Sequence, residues 1–197
     1  MRQTFPAECK KMNSLLTYVA LLRGINVGDN RKVEMAKLKQ AFERLGLVNV
    51  KTFIASGNVI FQADLKDQKK LAQTIESAIK SNFKIDVKVL LRHLKDMGKL
   101  VKAIPASWVN DKTTKCDIMF LTQEADKKSI LKRLPSNSAI EEVRYVPGAV
   151  LWHIDRDTAN KSRMFRIVGT ELYQQMTVRN PNTVRKLYEL MVETAKS

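Results

Sequence analysis

The chain has 197 residues, of which 44% are apolar and seven are glycine, so a disordered or collagen-like polypeptide is excluded. Lysine and arginine number 35 against 20 acidic residues, and the formal charge of +15 favours an anionic partner. Two cysteines, Cys9 and Cys116, are too few for a disulfide framework or a zinc site and are typical of a cytoplasmic protein.

The N-terminal region is predicted to contain neither a membrane span nor a secretion signal. Residues 1–12 lack an apolar period and are predicted to form a loose tail. The apolar run at 15–22 is far shorter than the roughly 18 residues of a membrane helix and has no small-residue cleavage pattern. Its β-branched and aromatic residues at 17–19 predict a buried strand instead. We therefore expect a cytoplasmic protein with no membrane partner.

The region 13–91 is predicted to form one structural half. Apolar periodicity and turn residues predict, in chain order, a strand at 17–22, a helix at 34–45, strands at 50–55 and 59–62, a helix at 67–82 and a strand at 86–91. Gly46 is a natural helix stop, and Ser56-Gly57-Asn58 between two strand patterns is a hairpin signal. The order is βαββαβ.

The region 115–197 repeats this order after a linking segment at 92–114, which is predicted to form an amphipathic helix and a polar loop. The predicted elements are a strand at 116–121, a helix at 124–134, a hairpin at 142–146 and 149–155 closed by Pro147-Gly148, a helix at 162–172, a strand at 175–179 and a final helix at 181–195. The fold class is therefore predicted as α+β, with two tandem ferredoxin-like (βαββαβ) halves and an added C-terminal helix.

The two halves differ in the connection after their first strand. From the first strand to the hairpin glycine is 40 residues in the first half (17 to 57) and 32 in the second (116 to 148). Most of the difference lies in the polar segment 23–34, which corresponds to the short Thr122-Gln123 connection. Long polar loops in compact units commonly carry function, although covering a sheet edge is the structural alternative.

Three motifs in order resemble one known family. YVALLRGINVG at 18–28, ASGNVIF at 55–61 and TVRNPNTVRKL at 177–187 are similar to the bacterial domain-of-unknown-function family 1697. The resemblance covers nearly the whole chain from Thr17 to about Leu190. It implies a fold of two ferredoxin-like halves and brings no established activity, substrate or catalytic residue.

The motifs supply the candidate ligand-binding residues. The glycine-containing loop after the first strand has the context of an anion-binding loop, with Arg23, Asn26 and Lys32 as candidates, but it lacks the spacing of a dinucleotide or Walker A motif. Gly24 and Asn26 in a purely structural loop are the alternative.

The remaining candidates lie in the other two motifs. Ser56 and Asn58 either face a ligand or serve the hairpin backbone alone. Asn180 and Pro181 are explained as the start of a helix, which leaves Arg179 and Asn182 as candidates beside a helix N-terminus that favours an anion.

No metal site or cofactor is predicted, and the sequence does not identify catalytic residues. Asp155 and Asp157 lack converging partner oxygens for a hard cation, and a solvated loop fits them better. His93 and His153 have no neighbouring nucleophile in a triad-like context. Cys116 alternates with apolar residues and is predicted to be buried.

The basic surplus leaves the partner open between an anionic small molecule and nucleic acid. Residues 156–186 hold seven basic and two acidic side chains, a footprint typical of nucleic-acid binding, yet no aromatic RNA-binding signature accompanies it and solubility charge is the alternative. The hypotheses are thus a binding protein for an anionic ligand, an enzyme on a small anionic substrate assisted by Ser56 or an aspartate of 155–157, and a structural protein without a ligand.

Overall fold

The computed structural model describes residues 15–26, 32–64 and 67–197. The predicted loose tail at 1–12 and the part of the first-strand loop at 27–31 lie outside them. The described residues form an α+β structure with two four-stranded antiparallel sheets. The strands are β1 (Leu16–Leu22), β2 (Val48–Phe53), β3 (Asn58–Ala63), β4 (Val89–His93), β5 (Thr114–Leu121), β6 (Glu141–Val146), β7 (Ala149–Asp155) and β8 (Met176–Arg179). The helices are α1 (Met35–Arg44), α2 (Gln68–Phe83), α3 (Leu94–Ala103), α4 (Glu171–Gln174) and α5 (Pro181–Ala195).

The first sheet has the order β2-β3-β1-β4, so β1 lies between two antiparallel neighbours. Six of the seven residues of β1 are buried because both faces of the strand are covered. The outer face packs under α1 and α2, whose apolar stripes include Leu38, Phe42 and Ile75.

The second sheet has the order β6-β7-β5-β8, which is the first order with every strand number raised by four. Its outer face does not carry two long helices, so the helices predicted at 124–134 and 162–172 are wrong. These regions contain 3₁₀ turns at Lys128–Arg133 and Met164–Ile167 and the short α4. Lys127 is extended (φ −140°, ψ 140°) and breaks the first predicted helix, and Gly169 interrupts the second with a φ of 85°.

A central apolar layer joins the two sheets. The inner face of the first sheet contributes Val19 and Leu21, and that of the second contributes Ile118 and Phe120. The helices α3 and α5 lie in this layer, each directly following the edge strand β4 or β8 of one sheet. The layer makes the two sheets one packed body, because neither inner face is covered without it.

The start of α5 follows the predicted capping. The side chain of Asn180 accepts a hydrogen bond from the Thr183 N–H at 2.8 Å, and Pro181 occupies the first helical position. Over the described ranges, none of the helices combines the length and apolar character needed to cross a bilayer.

Candidate functional site

Arg179 is the residue around which the predicted motifs meet. It lies at the end of β8 and points to the inner face, where only 8% of the residue is exposed. Its guanidinium donates hydrogen bonds to acceptors in both sheets: Asn58 Oδ1 (2.6 Å), Thr177 Oγ1 (3.0 Å), and the carbonyl oxygens of Val178 (2.8 Å), Leu22 (3.0 Å), Ser56 (2.9 Å) and Gly57 (3.3 Å). The side chain thus links the first-strand end, the β2–β3 hairpin and β8.

The charge of Arg179 is solvated by the dipoles of neutral acceptors, with no carboxylate of the described residues opposite it. Burial lowers the pKa of the Arg179 guanidinium to about 10, and no acidic side chain of the described residues opposes that shift. The group therefore remains charged at neutral pH. Its bonds to carbonyl and amide oxygens occupy every N–H direction of the planar fork, which makes Arg179 a positioning residue of this surface.

The β2–β3 hairpin is held in a constrained shape by Asn58. The side-chain amide of Asn58 donates to the Phe53 carbonyl at 3.1 Å and to Ser56 Oγ at 3.0 Å. Ile54 has a φ of 48°, a conformation that β-branched residues rarely adopt, and it is 49% exposed. A Cβ on Gly57 would meet Ile25 Cδ1 at 2.8 Å, so this turn requires glycine. This turn presents the exposed residues 54–56 at one end of the sheet.

Asn26 ties the first-strand loop to the same hairpin. Its Oδ1 accepts from the Val33 N–H at 2.7 Å, and its amide donates to the carbonyl oxygens of Val33 at 3.1 Å and Ala55 at 2.8 Å. The residue has a φ of 54°, which asparagine tolerates better than most residues. Both ends of the 27–31 segment are therefore fastened beside the hairpin.

Two basic residues stand at this end of the first sheet. Arg23 donates from Nε to the Met176 carbonyl at 3.1 Å, and its guanidinium carbon lies 5.5 Å from the centre of the Tyr173 ring. Its Nη atoms have no hydrogen-bond partner among the described residues. Lys32 is exposed and directly precedes Val33, which Asn26 holds.

Asn182 stands apart from these residues. It occupies the first turn of α5 and donates to the Asn110 carbonyl at 3.4 Å, so it faces the linking segment. The structure therefore brings Arg23, Asn26, Ser56, Asn58 and Arg179 to one end of the first sheet, with Lys32 beside them, and places Asn182 elsewhere.

Sequence reasoning missed Arg92, which occupies in β4 the position of Arg179 in β8. In β1, Val19 pairs with Arg92, and in β5, Ile118 pairs with Arg179. The Arg92 Nη2 donates to the carbonyl oxygens of Leu121 at 2.5 Å and Gly148 at 2.7 Å. Each sheet thus contributes an arginine from its edge strand. This arginine bonds to the end of the first strand and to the hairpin of the other sheet. Alignment of the two halves by their last strands would have revealed this pair.

The described residues offer no nucleophile with a general base. His93 Nδ1 accepts from the Lys95 N–H, and the His153 ring stacks on Trp108 at 4.9 Å. Cys116 is fully buried, as predicted, and burial raises the pKa of its thiol to about 11. Across these same ranges, no group of three or more His, Cys, Asp or Glu side chains is placed to hold a metal ion.

Comparison with known proteins agrees with the motif resemblance. The model of a family described as protein of unknown function (DUF1697) matches residues 15–152, which include the first-strand loop and the β2–β3 hairpin. The chain belongs to the DUF1697 family. No curated protein matches it.

A solved structure has the same fold as this DUF1697 chain. The conserved bacterial protein SP0830 from Streptococcus pneumoniae superposes with a TM-score of 0.76 at 25% sequence identity. The alignment covers 90% of this chain and 99% of that protein. The comparison extends the common architecture beyond residue 152 and attaches no activity to it.

Proposed function

We propose that the protein is a non-catalytic binding protein for a small phosphorylated ligand, bound where the first-strand loop meets the β2–β3 hairpin. The observation that carries the proposal is the buried Arg179 guanidinium, which joins these segments without a compensating carboxylate. An uncompensated charge in a low-dielectric layer raises the positive potential of the surface directly above it.

The candidate residues divide into two roles. Arg23 and Lys32 supply charge, and the exposed Ser56 supplies a hydroxyl group beside them. Asn26, Asn58 and Arg179 hold the loop and the hairpin in place through their internal hydrogen bonds. Preorganised donors on a rigid turn suit an anion, because little ordering remains to be done when the ligand binds.

The distribution of the other arginines favours a small ligand over nucleic acid. Within 156–186, Arg156 bonds to the Asp111 carbonyl, Arg185 bonds to the carbonyl oxygens of Trp108 and Pro105, and Lys186 pairs with Glu189. With Arg179 included, these contacts engage hydrogen-bond donors of four of the seven basic side chains. A broad phosphate-binding face is therefore reduced to a few side chains.

Nucleic acid is nevertheless a second candidate partner, supported by one exposed segment. Lys161, Arg163 and Arg166 are exposed and flank Phe165, which is 46% exposed. An aromatic ring among cations is the arrangement that stacks on the bases of single-stranded nucleic acid. This segment lies in the second half and is separate from Arg23 in sequence, so variants distinguish the two partners.

Titration with inorganic pyrophosphate tests the first candidate. In ¹H–¹⁵N correlation spectra, we expect saturable shifts at 23–26 and 54–58 at about 10 mM ligand, a concentration that fills even a millimolar site. Arg23→Gln should weaken binding about tenfold, the loss typical of one charged hydrogen bond. Arg133→Gln, an exposed arginine in the second half, is the matched control and should change nothing.

Each outcome separates the alternatives. Absence of shifts at 23–26 and 54–58, or an equal effect of Arg133→Gln, contradicts the small-ligand site. Retention of single-stranded nucleic acid that falls steeply with salt and is lost in Arg163→Gln/Arg166→Gln, while Arg23→Gln is unaffected, supports the second candidate.

We also infer that the two sheets belong to ferredoxin-like halves related by duplication, with boundaries at 13–91 and 115–197. Two pairs of equivalent main-chain hydrogen bonds support this. The Leu22 N–H to Gly57 O bond of the first half corresponds to Leu121 N–H to Gly148 O in the second. Likewise, Arg23 N–H to Lys88 O corresponds to Thr122 N–H to Gln175 O. The common strand order and the paired arginines support it as well.

A further inference from the structure

A cleft opens at the junction around Arg92. Two adjoining cavities of about 630 and 870 Å³ lie there, with Gln68, Lys69, Arg92, Leu121 and Gln123 in the walls of both. One side is built from the start of α2 and from α3, and the other from the end of β5 and the β6–β7 hairpin. The cleft is therefore a junction between the two sheets.

The connection after β5 is shorter than its counterpart in the first half. Twelve residues (23–34) join β1 to α1 beside Arg179, whereas six residues (122–127) join β5 to the 3₁₀ turn at Lys128–Arg133 beside Arg92. Both arginines bind the same carbonyl positions of the opposite sheet. The open cleft lies at the junction that has the shorter connection.

The larger cavity has an apolar wall suited to an organic ligand. Its lining includes Leu100, Ala103, Leu121, Val146 and Pro147, contributed by both sides of the cleft. A volume of 870 Å³ lies within the range of small-molecule sites, which are mostly apolar with a few placed polar groups. Burial of an aryl or alkyl group against this wall would supply most of the favourable free energy of binding.

Positive charge borders the apolar wall. Lys69 stands in the first turn of the 16-residue α2 and Lys99 stands on α3. Neither ammonium group forms a hydrogen bond or a close ion pair with a described residue, although Lys69 lies within electrostatic range of the Glu124 carboxylate. Asp67 caps the Lys70 N–H at 3.0 Å, while the first-turn N–H groups of Gln68 and Lys69 point out of the helix end. These donors and charges suit one anionic head group.

The acidic residues of the cleft limit the charge of the ligand. Asp126 Oδ1 accepts from the Tyr145 hydroxyl and the Gly148 N–H, both at 2.8 Å. Asp96 is exposed on the α3 side, and Asp96 and Asp126 both lie near enough to Arg92 to stabilise its charge. Asp67 also lines the larger cavity, and the smaller one is lined by Glu76, Glu124 and Glu171. A polyphosphate would meet several of these carboxylates, whereas a single negative group can stay at the lysines.

We propose that this inter-sheet cleft is a binding site for an amphipathic organic monoanion. The apolar body of the ligand lies on the apolar wall that includes Leu100 and Val146, and its acid group lies between Lys69 and Lys99. The site lies in the larger cavity, whose lining includes neither Arg23 nor the β2–β3 hairpin, and it does not depend on the function proposed above.

Fluorescence titration with 1-anilinonaphthalene-8-sulfonate, an aryl monoanion, tests the site on the full chain. We expect saturable binding at one site per chain. Lys69→Gln/Lys99→Gln should weaken it about tenfold, since each exposed charge contributes a few-fold. Lys70→Gln/Lys102→Gln removes two exposed lysines from the same helices but outside the cleft and should change binding less than twofold.

Two further measurements locate the probe. The neutral analogue N-phenyl-1-naphthylamine should bind wild type and both lysine variants with the same affinity, because it has no acid group. Ala103→Trp should weaken both probes by filling the wall, and methyl shifts at Leu100, Leu121 and Val146 should report the probe in wild type.

Several results would overturn the proposal. The first is fluorescence in wild type that does not saturate or that fits several sites. The second is an equal loss of probe affinity in the two double-lysine variants. The third is the absence of methyl shifts in the cleft while the probe is bound. Since the lysine pairs are exposed, their melting temperatures should match wild type, so the test does not depend on whether Ala103→Trp folds.

Discussion

Arg92 and Arg179 show how a charged side chain stabilises the contact between two sheets. Removing a guanidinium from water is costly, and the cost is offset only where acceptors receive its N–H groups. Arg179 meets this condition with acceptors from segments more than 100 residues apart in sequence. A lysine carries three donors without the planar fork, so it cannot reproduce these bonds.

Substitution of Arg179 should therefore destabilise the protein whatever it binds. We expect Arg179→Ala to lower the free energy of unfolding by about 2–4 kcal/mol, because it leaves buried carbonyl groups of the hairpin and the first strand unpaired. Arg179→Lys should lose a large part of the same stability. Urea unfolding measures both, with the exposed Arg166→Ala within about 0.5 kcal/mol of wild type as the control. Wild-type stability of Arg179→Lys would contradict the role given to the fork.

The candidate site was predictable only in part at the level of residues. The motifs singled out Asn26 and Asn58 because turn residues have local signals, and Arg179 because the helix start at Asn180-Pro181 left it unexplained. Their partners have none, since the acceptors of Arg179 depend on how the two sheets pack. Whether Arg23, Lys32 and Ser56 bind an anion stays a prediction, and Asn182 lies apart from that group.

At the scale of elements, the strands and hairpins followed their sequence patterns and two helices did not. The strand predictions are confirmed to within a few residues because alternation and turn residues are local signals. The region 162–172 has helical periodicity, yet Ser162 donates to the buried Glu141 carboxylate, which also accepts from the Trp152 indole N–H. These hydrogen bonds to residues distant in sequence outweigh the helix propensity of the region. Gly169 is the residue whose low helix propensity indicated a break in the sequence.

Gly169→Ala distinguishes the two structures of this region by the sign of its effect. In a helix, alanine would raise the free energy of unfolding by about 1 kcal/mol relative to glycine. At the observed φ of 85°, alanine should lower it by about 1–2 kcal/mol, because nothing crowds the added Cβ and only the backbone conformation is disfavoured. Gly46→Ala is a matched control, with a φ of 78° and equally open surroundings. Stabilisation by Gly169→Ala in thermal melting would show that 162–172 is helical.

At the scale of the whole molecule, the layer between the sheets makes the fold cooperative. Cys116, Ile118 and Phe120 of the second sheet meet Val19 and Leu21 of the first in one cluster with α3 and α5. Separation of the sheets would expose this cluster and break both arginine contacts at once. Among the residues that the structure describes, only this layer covers the inner faces, so the two halves should unfold together.

Cys116 makes this cooperativity measurable. Its burial raises the pKa of the thiol to about 11, so the reactive thiolate is nearly absent from the folded protein at pH 8. In a Cys9→Ser background, we expect a disulfide reagent to label Cys116 only as fast as the chain unfolds, with labelling and far-UV circular dichroism sharing one urea midpoint.

The same thiol predicts how stability changes at alkaline pH. The folded-state pKa is raised above its usual value of 9.0, so the stabilisation is complete below about pH 9. It is lost as the pH rises toward 11, because the unfolded chain ionises first. Cys116→Ala should remove this part of the decline between pH 9 and 11, and the difference from the Cys9→Ser parent isolates it from other titrating groups. Labelling of native Cys116 within minutes at pH 8 would show that the layer between the sheets opens without global unfolding. An alkaline decline identical in both proteins would contradict the raised pKa of the buried thiol.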